Sequence, residues 1–261
     1  MQIGKPGEAK TAIATADAAG VTVRGRDLVG DLMGRLTFTG YFYFLVTGRE
    51  PTEQQRYFLD LLLVTIAEHG LTPTAVATRM TLAAAPDSVQ GAVAAGLLGA
   101  GPVILGASEP CARLIVDATA RIAAGSTPDA AVAAIVEELR ARGDKMPGYG
   151  HPVHKSGDPR AEKILELAAD KGVAGSAIDI ARRFTPAVAK AWGRPLPMNV
   201  SMAIAACLID LDFPPAMAKA IPLLARTAGL LAHIAEEQKR PIGFAMAGAA
   251  EDSIAYDGGK P

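Results

Sequence analysis

Apolar side chains recur every three or four residues along most of the chain, which is the spacing of one face of an α-helix. One such pattern begins after Pro51, with Thr52 as the predicted N-cap, and continues to Gly70, a residue type that often follows the last helical turn. The same periodicity, with capping residues before it and glycines after it, predicts further helices over 89–98, 108–124, 127–142, 158–172, 176–190, 200–211 and 216–239.

Strand signals are nearly absent. Val21–Val23 is the only short run of β-branched residues with turn residues beside it. Half of all residues are hydrophobic but only 5% are aromatic, so the core must be built from small aliphatic side chains. Alanine and glycine on helix faces let backbones approach closely and still pack densely. The predicted fold class is therefore all-α.

The charge balance excludes several functional classes. With 261 residues, 26 Lys+Arg and 27 Asp+Glu, the chain lacks the basic excess of a nucleic-acid-binding protein, and nothing suggests a partner at a membrane surface. The longest apolar run, residues 91–106, is interrupted by five glycines and one proline, and no apolar segment follows Met1, so neither a membrane span nor a signal peptide is predicted. We expect a soluble, cytoplasmic protein.

Neither metal nor dinucleotide binding is predicted. Cys111 and Cys207 lie too far apart for a paired-cysteine motif and are expected to be small buried residues in a reducing compartment. His151 and His154 have no third ligand near them in the sequence, so no zinc site is expected. The glycines within 96–101 follow a predicted helix rather than a strand, which is the wrong context for a nucleotide fingerprint.

The most informative stretch is an irregular segment, residues 143–160, between two predicted helices. Its glycines and prolines leave the backbone open to close approach by a flat or phosphorylated ligand. His151 lies in this segment near Lys155 and Arg160. A histidine in a glycine-rich loop, with an arginine close by, is a candidate functional residue.

Part of this segment, MPGYGHPVHKSGDPR at 146–160, resembles the PGxGH…DPR signature of the citrate synthase superfamily. Further resemblances follow the family's order along the chain: RGRD at 24–27, FLVTGREPT at 44–52, EHG at 68–70, the glycine-rich region 97–109, NVS at 199–201 and ARTAGLLAHIAEE at 225–237. Each piece is weak alone, but the ordered set is specific. The short length and the EHGLTP run most resemble citryl-CoA lyases, including the lyase module of ATP-citrate lyase.

The resemblance implies an all-α fold of two domains. A large helical domain would comprise residues 1–108 and 199–261, and a smaller helical domain, residues 109–198, would close over the active site. Oxaloacetate or citrate would lie between them, and coenzyme A, bound as the thioester substrate, would lie against the small domain. The implied partners are thus a CoA thioester, a di- or tricarboxylate, and further copies of the chain in a homodimer or higher homo-oligomer.

The resemblance also assigns roles by matching position. His69, Arg160 and Arg226 would hold the substrate, because guanidinium groups donate paired hydrogen bonds to carboxylates. His151 would bind the substrate and polarise its hydroxyl or carbonyl oxygen. The backbone that would meet the adenine of CoA comprises Pro147, Gly148, Tyr149 and Gly150.

Two positions depart from the family's pattern. Ile104 stands where the first catalytic histidine is expected, a replacement that lyase-type members tolerate, and Ser201 stands where the catalytic aspartate is expected. Ser201 is counted with His151 as a catalytic candidate, although a serine hydroxyl is no base near neutral pH without help. The synthases' C-terminal arginine has no clear match near Phe244.

Three functions stay open. The first is a carbon–carbon lyase that cleaves citryl-CoA to acetyl-CoA and oxaloacetate, or acts on a related 3-hydroxyacyl-CoA. The second is a catalytically weak relative that binds CoA or a carboxylate, or serves as a partner subunit. The third is a condensing enzyme of the citrate synthase type.

Overall fold

Helices carry nearly all of the regular structure in the computed structural model, which describes residues 9–150 and 157–259. By their contacts, the residues of the chain fall into two compact units, Met1–Asp60 and Leu61–Pro261. The helices are α1 (Phe38–Thr47), α2 (Glu53–Ala67), α3 (Pro73–Ala84), α4 (Val89–Leu98), α5 (Ser108–Ala123), α6 (Pro128–Ala141), α7 (Pro159–Asp170), α8 (Ser176–Trp192), α9 (Val200–Asp210), α10 (Ala220–Glu237) and α11 (Gly243–Ser253).

The first unit contains a small antiparallel sheet of β1 (Ala14–Ala16), β2 (Val21–Val23) and β3 (Arg26–Asp27), in that order. The predicted strand signal thus lies in the central strand of a sheet whose two outer strands carry no comparable pattern. Val23 packs with Leu32 and Phe44 of α1 in a local apolar cluster. Thr37 caps α1 by accepting a hydrogen bond from the Gly40 N–H.

The second unit is built around α9, which packs against α5, α7 and α8. Every residue from Met202 to Leu208 is fully buried, and three of these seven are alanine. A helix that is apolar on all sides belongs inside a core. Small side chains allow the surrounding helices to approach it, as the aromatic-poor composition predicts. A second group of helices, α3, α4, α10 and α11, packs together in the same unit.

Most predicted helices are present within two residues of their predicted ends, and two differ. α2 ends at Ala67 rather than continuing to Gly70, because the Glu68 carboxylate accepts the His69 and Gly70 N–H groups that would otherwise continue the helix. α10 begins at Ala220 rather than at 216, because Pro215–Met217 form a separate short 3₁₀ turn. Helices α1, α3 and α11 lie outside the predicted set.

Cys111 and Cys207 are free thiols in the core of the second unit, as expected for small buried residues. Burial raises the pKa of both thiols, that of Cys207 to about 12. No helix among residues 9–150 and 157–259 is long and apolar enough to span a membrane.

Candidate active site

A cavity of about 390 Å³ lies within the second unit and gathers side chains that are far apart in the sequence. His69 follows α2, Arg160 lies in the first turn of α7, and Arg226 projects from α10. Ser201, in the first turn of α9, and the backbone at Gly150 also line it, together with the polar residues Thr72, Ser108 and Asn199. Three basic side chains therefore share one cavity.

Arg226 is the most deeply buried charge in this cavity, with only 2% of its surface exposed. Its Nη2 donates to the Ile66 carbonyl oxygen at 3.4 Å, while Nε and Nη1 have no hydrogen-bond partner within the described part of the chain. The nearest carboxylate oxygen, on Glu68, lies 3.9 Å from Nη1. Burial lowers the pKa of this guanidinium. A buried cation with free donors is costly unless a ligand supplies the missing anion.

Arg160 is held in place by Asp158, a carboxylate with 1% exposure. One Asp158 oxygen accepts from the Arg160 backbone N–H at 3.1 Å and from Nε at 3.0 Å. The other accepts from Arg160 Nη2 at 2.9 Å and from the Val200 N–H at 3.0 Å. Burial opposes ionisation of Asp158, but these hydrogen bonds outweigh it, so the pKa of the carboxyl is below its ordinary value. Asp158 thus joins Arg160 to the start of α9.

The glycine turn at Gly148–Gly150 is pinned to the segment that precedes α9. The Asn199 N–H donates to the Gly148 carbonyl oxygen at 2.8 Å, and the Gly150 N–H donates to the Pro197 carbonyl oxygen at 2.8 Å. The Asn199 side chain donates to the Gly150 carbonyl oxygen at 2.9 Å. Gly148 has a φ of +77°, and a Cβ there would lie 2.7 Å from Cys111 Sγ. Only glycine fits this turn without displacing its neighbours.

Tyr149 fixes the same turn from its buried side. Its hydroxyl donates to the Ala181 carbonyl oxygen at 2.8 Å and lies 3.2 Å from Thr185 Oγ1. Burial raises the pKa of this hydroxyl, so it stays protonated at neutral pH. The turn is therefore held on both sides by hydrogen bonds, and its Gly150 end reaches the cavity.

Ser201 enters the cavity from the N-terminus of α9. Asn199 caps this helix, since its side-chain oxygen accepts the Ser201 N–H at 3.0 Å. The positive end of the α9 dipole lies here, and Asp158 already accepts the Val200 N–H at 3.0 Å. Ser201 therefore brings a hydroxyl to the cavity at the first turn of α9.

An apolar wall formed by Val103, Ile104 and Leu105 faces the basic residues. The loop closes through a hydrogen bond from the Gly106 N–H to the Gly101 carbonyl oxygen, and Leu105 adopts a φ of +65°. That conformation strains a residue with a Cβ, and such strain concentrates at functional sites. Ile104 thus brings a hydrocarbon side chain to the cavity.

Among the described residues that line the cavity, none is a carboxylate. No group of three or more His, Cys, Asp or Glu residues in the described ranges is arranged to hold a metal ion. The arrangement suits an anionic ligand that carries an apolar portion.

The sequence-predicted residues come together in this geometry. His69, Arg160, Arg226, Ser201 and Gly150 all line the cavity. Pro147, Gly148 and Tyr149 form the turn that leads to it. His151 falls outside the described residues. The roles assigned to all of these residues stay predictions.

The family model of the citrate synthase C-terminal domain matches residues 8–243. The chain belongs to the citrate synthase family. This family member is similar to citryl-CoA lyase from Hydrogenobacter thermophilus over 97% of its own length and 96% of that chain, with a TM-score of 0.85 and 29% identity. The ATP citrate lyase of Methanothrix soehngenii, solved with citrate and coenzyme A, shares the fold over 99% of this chain and 43% of its own, with a TM-score of 0.75 and 22% identity. These matches confirm the predicted all-α, citrate synthase-like fold.

Two curated citrate synthases are also similar to this family member. That of Deinococcus radiodurans is 34% identical over 147 residues, which are 55% of this chain and 36% of the relative. That of Synechocystis sp. is 28% identical over 209 residues, which are 78% of this chain and 50% of the relative. The chain spans half or less of the length of these curated relatives.

Three residues that organise the site of this citrate synthase family member lie in the quoted motifs, but sequence reasoning assigned them no role in the site. Asp158, Asn199 and Glu68 hold Arg160, the glycine turn and the His69 turn, respectively. Asp158 and Asn199 are the N-cap residues of α7 and α9, where Asp and Asn accept free backbone N–H groups, and this capping position is the signal that identifies them. Glu68 follows the last residue of α2, and no such signal marks it.

Proposed function

We propose that this protein is a carbon–carbon lyase that cleaves citryl-CoA, or a related 3-hydroxyacyl-CoA, to a CoA thioester and a keto acid. The observation that carries the proposal is the end-to-end similarity to citryl-CoA lyase, in which nearly all of both chains is covered. The cavity supports it independently, because three basic side chains meet an apolar wall there. Coenzyme A would enter as part of the substrate.

In the proposed reaction, the substrate hydroxyl loses its proton and becomes the carbonyl of oxaloacetate. The adjacent carbon–carbon bond breaks, and its electron pair passes to the enolate of acetyl-CoA, which takes up a proton at its α-carbon. Arg160 and Arg226 would bind the carboxylates, and His69 would bind beside them. His151 would stabilise the negative charge that develops on the substrate's hydroxyl oxygen as it becomes the carbonyl. Fixed hydrogen-bond donors aimed at developing charge lower the reaction barrier most effectively.

Ser201 is the point at which this proposal departs from the family's chemistry. The aspartate expected there moves the proton at the α-carbon, and loss of a general acid–base group typically costs about 10²–10⁴-fold in rate. In this protein a bound water or His154, which lies outside the described residues, would take over that transfer. We therefore propose a lyase with a replaced proton-transfer group at Ser201.

We also propose the domain division implied by the resemblance, in which residues 109–198 form a small CoA-binding domain and residues 1–108 and 199–261 form the large one. The adenine would lie against the turn at 147–150, where Gly148 keeps the backbone free of a side chain. We further propose assembly as a homodimer or higher homo-oligomer.

A second candidate, a catalytically weak relative that binds CoA or a carboxylate, is favoured by Ile104 and Ser201. A third, condensation of the citrate synthase type, is favoured by the names of the curated relatives.

The pure protein would be incubated with citryl-CoA, with oxaloacetate release coupled to NADH oxidation by malate dehydrogenase. In parallel, acetyl-CoA and oxaloacetate would be supplied, and free CoA would be measured as a thiol.

NADH oxidation that depends on citryl-CoA supports the lyase, and thiol release without cleavage supports the synthase. CoA binding without turnover in either direction overturns both in favour of the binding protein. His151→Ala serves as the matched test of the site, because the proposed role of His151 is wrong if that variant cleaves citryl-CoA as fast as the wild type.

A further inference from the structure

One face of α10 lies along the end of α2. Arg226, Gly229 and His233 are three and four residues apart, so they share this face. The Arg226 guanidinium meets the carbonyl oxygen of Ile66, and His233 Nε2 lies 3.2 Å from Glu68 Oε1. Between them, a Cβ at residue 229 would lie 2.2 Å from the Ala67 carbonyl oxygen. The two segments are therefore in contact at three successive positions along α10, residues 226, 229 and 233.

Glu68 connects this contact to the cavity. Its Oε1 accepts the backbone N–H of His69 at 2.8 Å and that of Gly70 at 2.7 Å, so its carboxylate shapes the turn that carries His69. The same oxygen lies 3.9 Å from Arg226 Nη1. Burial opposes ionisation of Glu68, but the hydrogen bonds from the His69 N–H and from His233 outweigh it, so the pKa of the carboxyl is lowered. One carboxylate thus contacts two of the three basic residues of the cavity.

The tautomer of His233 follows from its second neighbour. Arg79 Nη1 lies 3.3 Å from His233 Nδ1, and an arginine can only donate hydrogen bonds. Nδ1 is therefore the acceptor, and Nε2 carries the hydrogen that is donated to Glu68. Arg79 is itself fixed, because its Nε donates to Glu237 at 2.6 Å and its Nη1 donates to Glu236 at 2.7 Å. The contact with Arg79 therefore holds the imidazole in the orientation in which Nε2 donates to Glu68.

We infer that Glu68 and His233 are positioning residues for the carboxylate-binding part of the cavity. His233 orients the Glu68 carboxylate, and Glu68 in turn sets the His69 turn and the direction of the Arg226 guanidinium. Neither Glu68 nor His233 needs to contact the substrate for this role. The benefit of this arrangement for a dicarboxylate ligand rests on the proposed function, whereas the positioning of the turn does not.

Two amide variants separate the hydrogen bond to Glu68 from the contact with Arg79. In His233→Gln the amide nitrogen reaches the former Nε2 position and still donates to Glu68. In His233→Asn the side-chain amide reaches only the Nδ1 position, so the contact with Arg79 is kept and the hydrogen bond to Glu68 is lost. His233→Gln is therefore the matched control for His233→Asn, and Glu138→Gln, at a surface carboxylate paired with Arg121, should leave both measurements unchanged.

Two measurements are made on each variant: amide hydrogen exchange over residues 66–71, and calorimetric titration with oxaloacetate and, separately, with CoA. We expect His233→Asn to accelerate exchange of the His69 and Gly70 amides and to weaken oxaloacetate about tenfold, the size of one hydrogen bond to a charged group. Its CoA affinity is expected to stay unchanged. His233→Gln should stay within about threefold of the wild type in both readouts.

Equal exchange in the wild type, His233→Asn and His233→Gln overturns the inference, and so does faster exchange of the same size in both variants. If only His233→Asn exchanges faster but the wild type binds no oxaloacetate, the positioning role is supported and the proposed function fails. If the wild type binds oxaloacetate and His233→Asn binds it equally well, the positioning of the ligand site is wrong while the proposed function stands.

Discussion

Asp158→Asn tests whether the buried carboxylate holds the first turns of α7 and α9 together. Asp158 accepts four hydrogen bonds, three from Arg160 and one from the Val200 N–H. An asparagine keeps one oxygen but turns an NH₂ group toward two of the donors that the carboxylate accepts. Removing one partner of a buried ion pair costs about 3–5 kcal/mol, and we expect the lower end, about 3 kcal/mol, because Arg160 is partly exposed and regains water.

The assay is urea unfolding followed by far-UV circular dichroism, at neutral pH and again in acid. The pKa of Asp158 is lower in the folded protein than in the unfolded chain. Its contribution is therefore fully present above the unfolded value, near pH 4, and is lost as the pH falls through the folded value. The wild type should therefore lose its advantage in free energy of unfolding over Asp158→Asn below about pH 4.

Asp144→Asn is the control, since it removes a surface ion pair with Arg142, and it should cost less than about 1 kcal/mol. An Asp158→Asn variant as stable as Asp144→Asn, or a difference independent of pH, would refute the reasoning.

Three further predictions concern the cavity and the glycine turn. Arg226→Met should raise the free energy of unfolding by about 1–3 kcal/mol in the absence of ligand, because it removes a buried, incompletely paired charge. The variant should also lose the thermal shift that oxaloacetate produces in the wild type, and a destabilised variant would contradict this prediction. Gly148→Ala should destabilise the protein by about 3 kcal/mol in urea unfolding, because φ is positive there and a Cβ would collide with Cys111. Gly125→Ala is the control, since φ is positive but the space around a Cβ is open, and it should cost only about 1 kcal/mol. Equal costs for the two variants would count against the collision. Ser201→Asp should raise citryl-CoA cleavage at least about tenfold if a missing acid–base group limits the rate, and an unchanged or lower rate would show that another group performs that transfer.

The helices of this protein could be predicted because their ends carry strong local signals. Thr127-Pro128, Asp158-Pro159 and Asn199 mark helix starts through capping, and each observed helix begins directly after its capping residue. Helix α3 lacks a side-chain cap hydrogen bond and contains the buried polar residues Thr74, Thr78 and Arg79. The Arg79 side chain meets His233, Glu236 and Glu237 of α10, more than 150 residues away, so the sequence around α3 shows no clean apolar face.

The cavity could be predicted as a set of residues but not as a set of contacts. His69, Arg160 and Arg226 were identified through family resemblance, since nothing in their local sequence places them together. Glu68 with His69 and Asp158 with Arg160 are neighbours in sequence, whereas Arg226 with Ile66 and His233 with Glu68 join segments 160 and 165 residues apart. Such contacts are decided by tertiary packing, and local sequence patterns contain no information on them.

The contact between α10 and the end of α2 determines which changes this protein can tolerate. An α-helix advances 1.5 Å and turns 100° per residue, so a single insertion after Arg226 would rotate His233 away from Glu68 and move the residue at position 229 off the Ala67 carbonyl. Substitutions on the opposite, solvent-exposed side, such as at Leu231, leave that register intact. In relatives of this chain, the spacing from the cavity arginine to the histidine should therefore keep its length even where the residues between them differ.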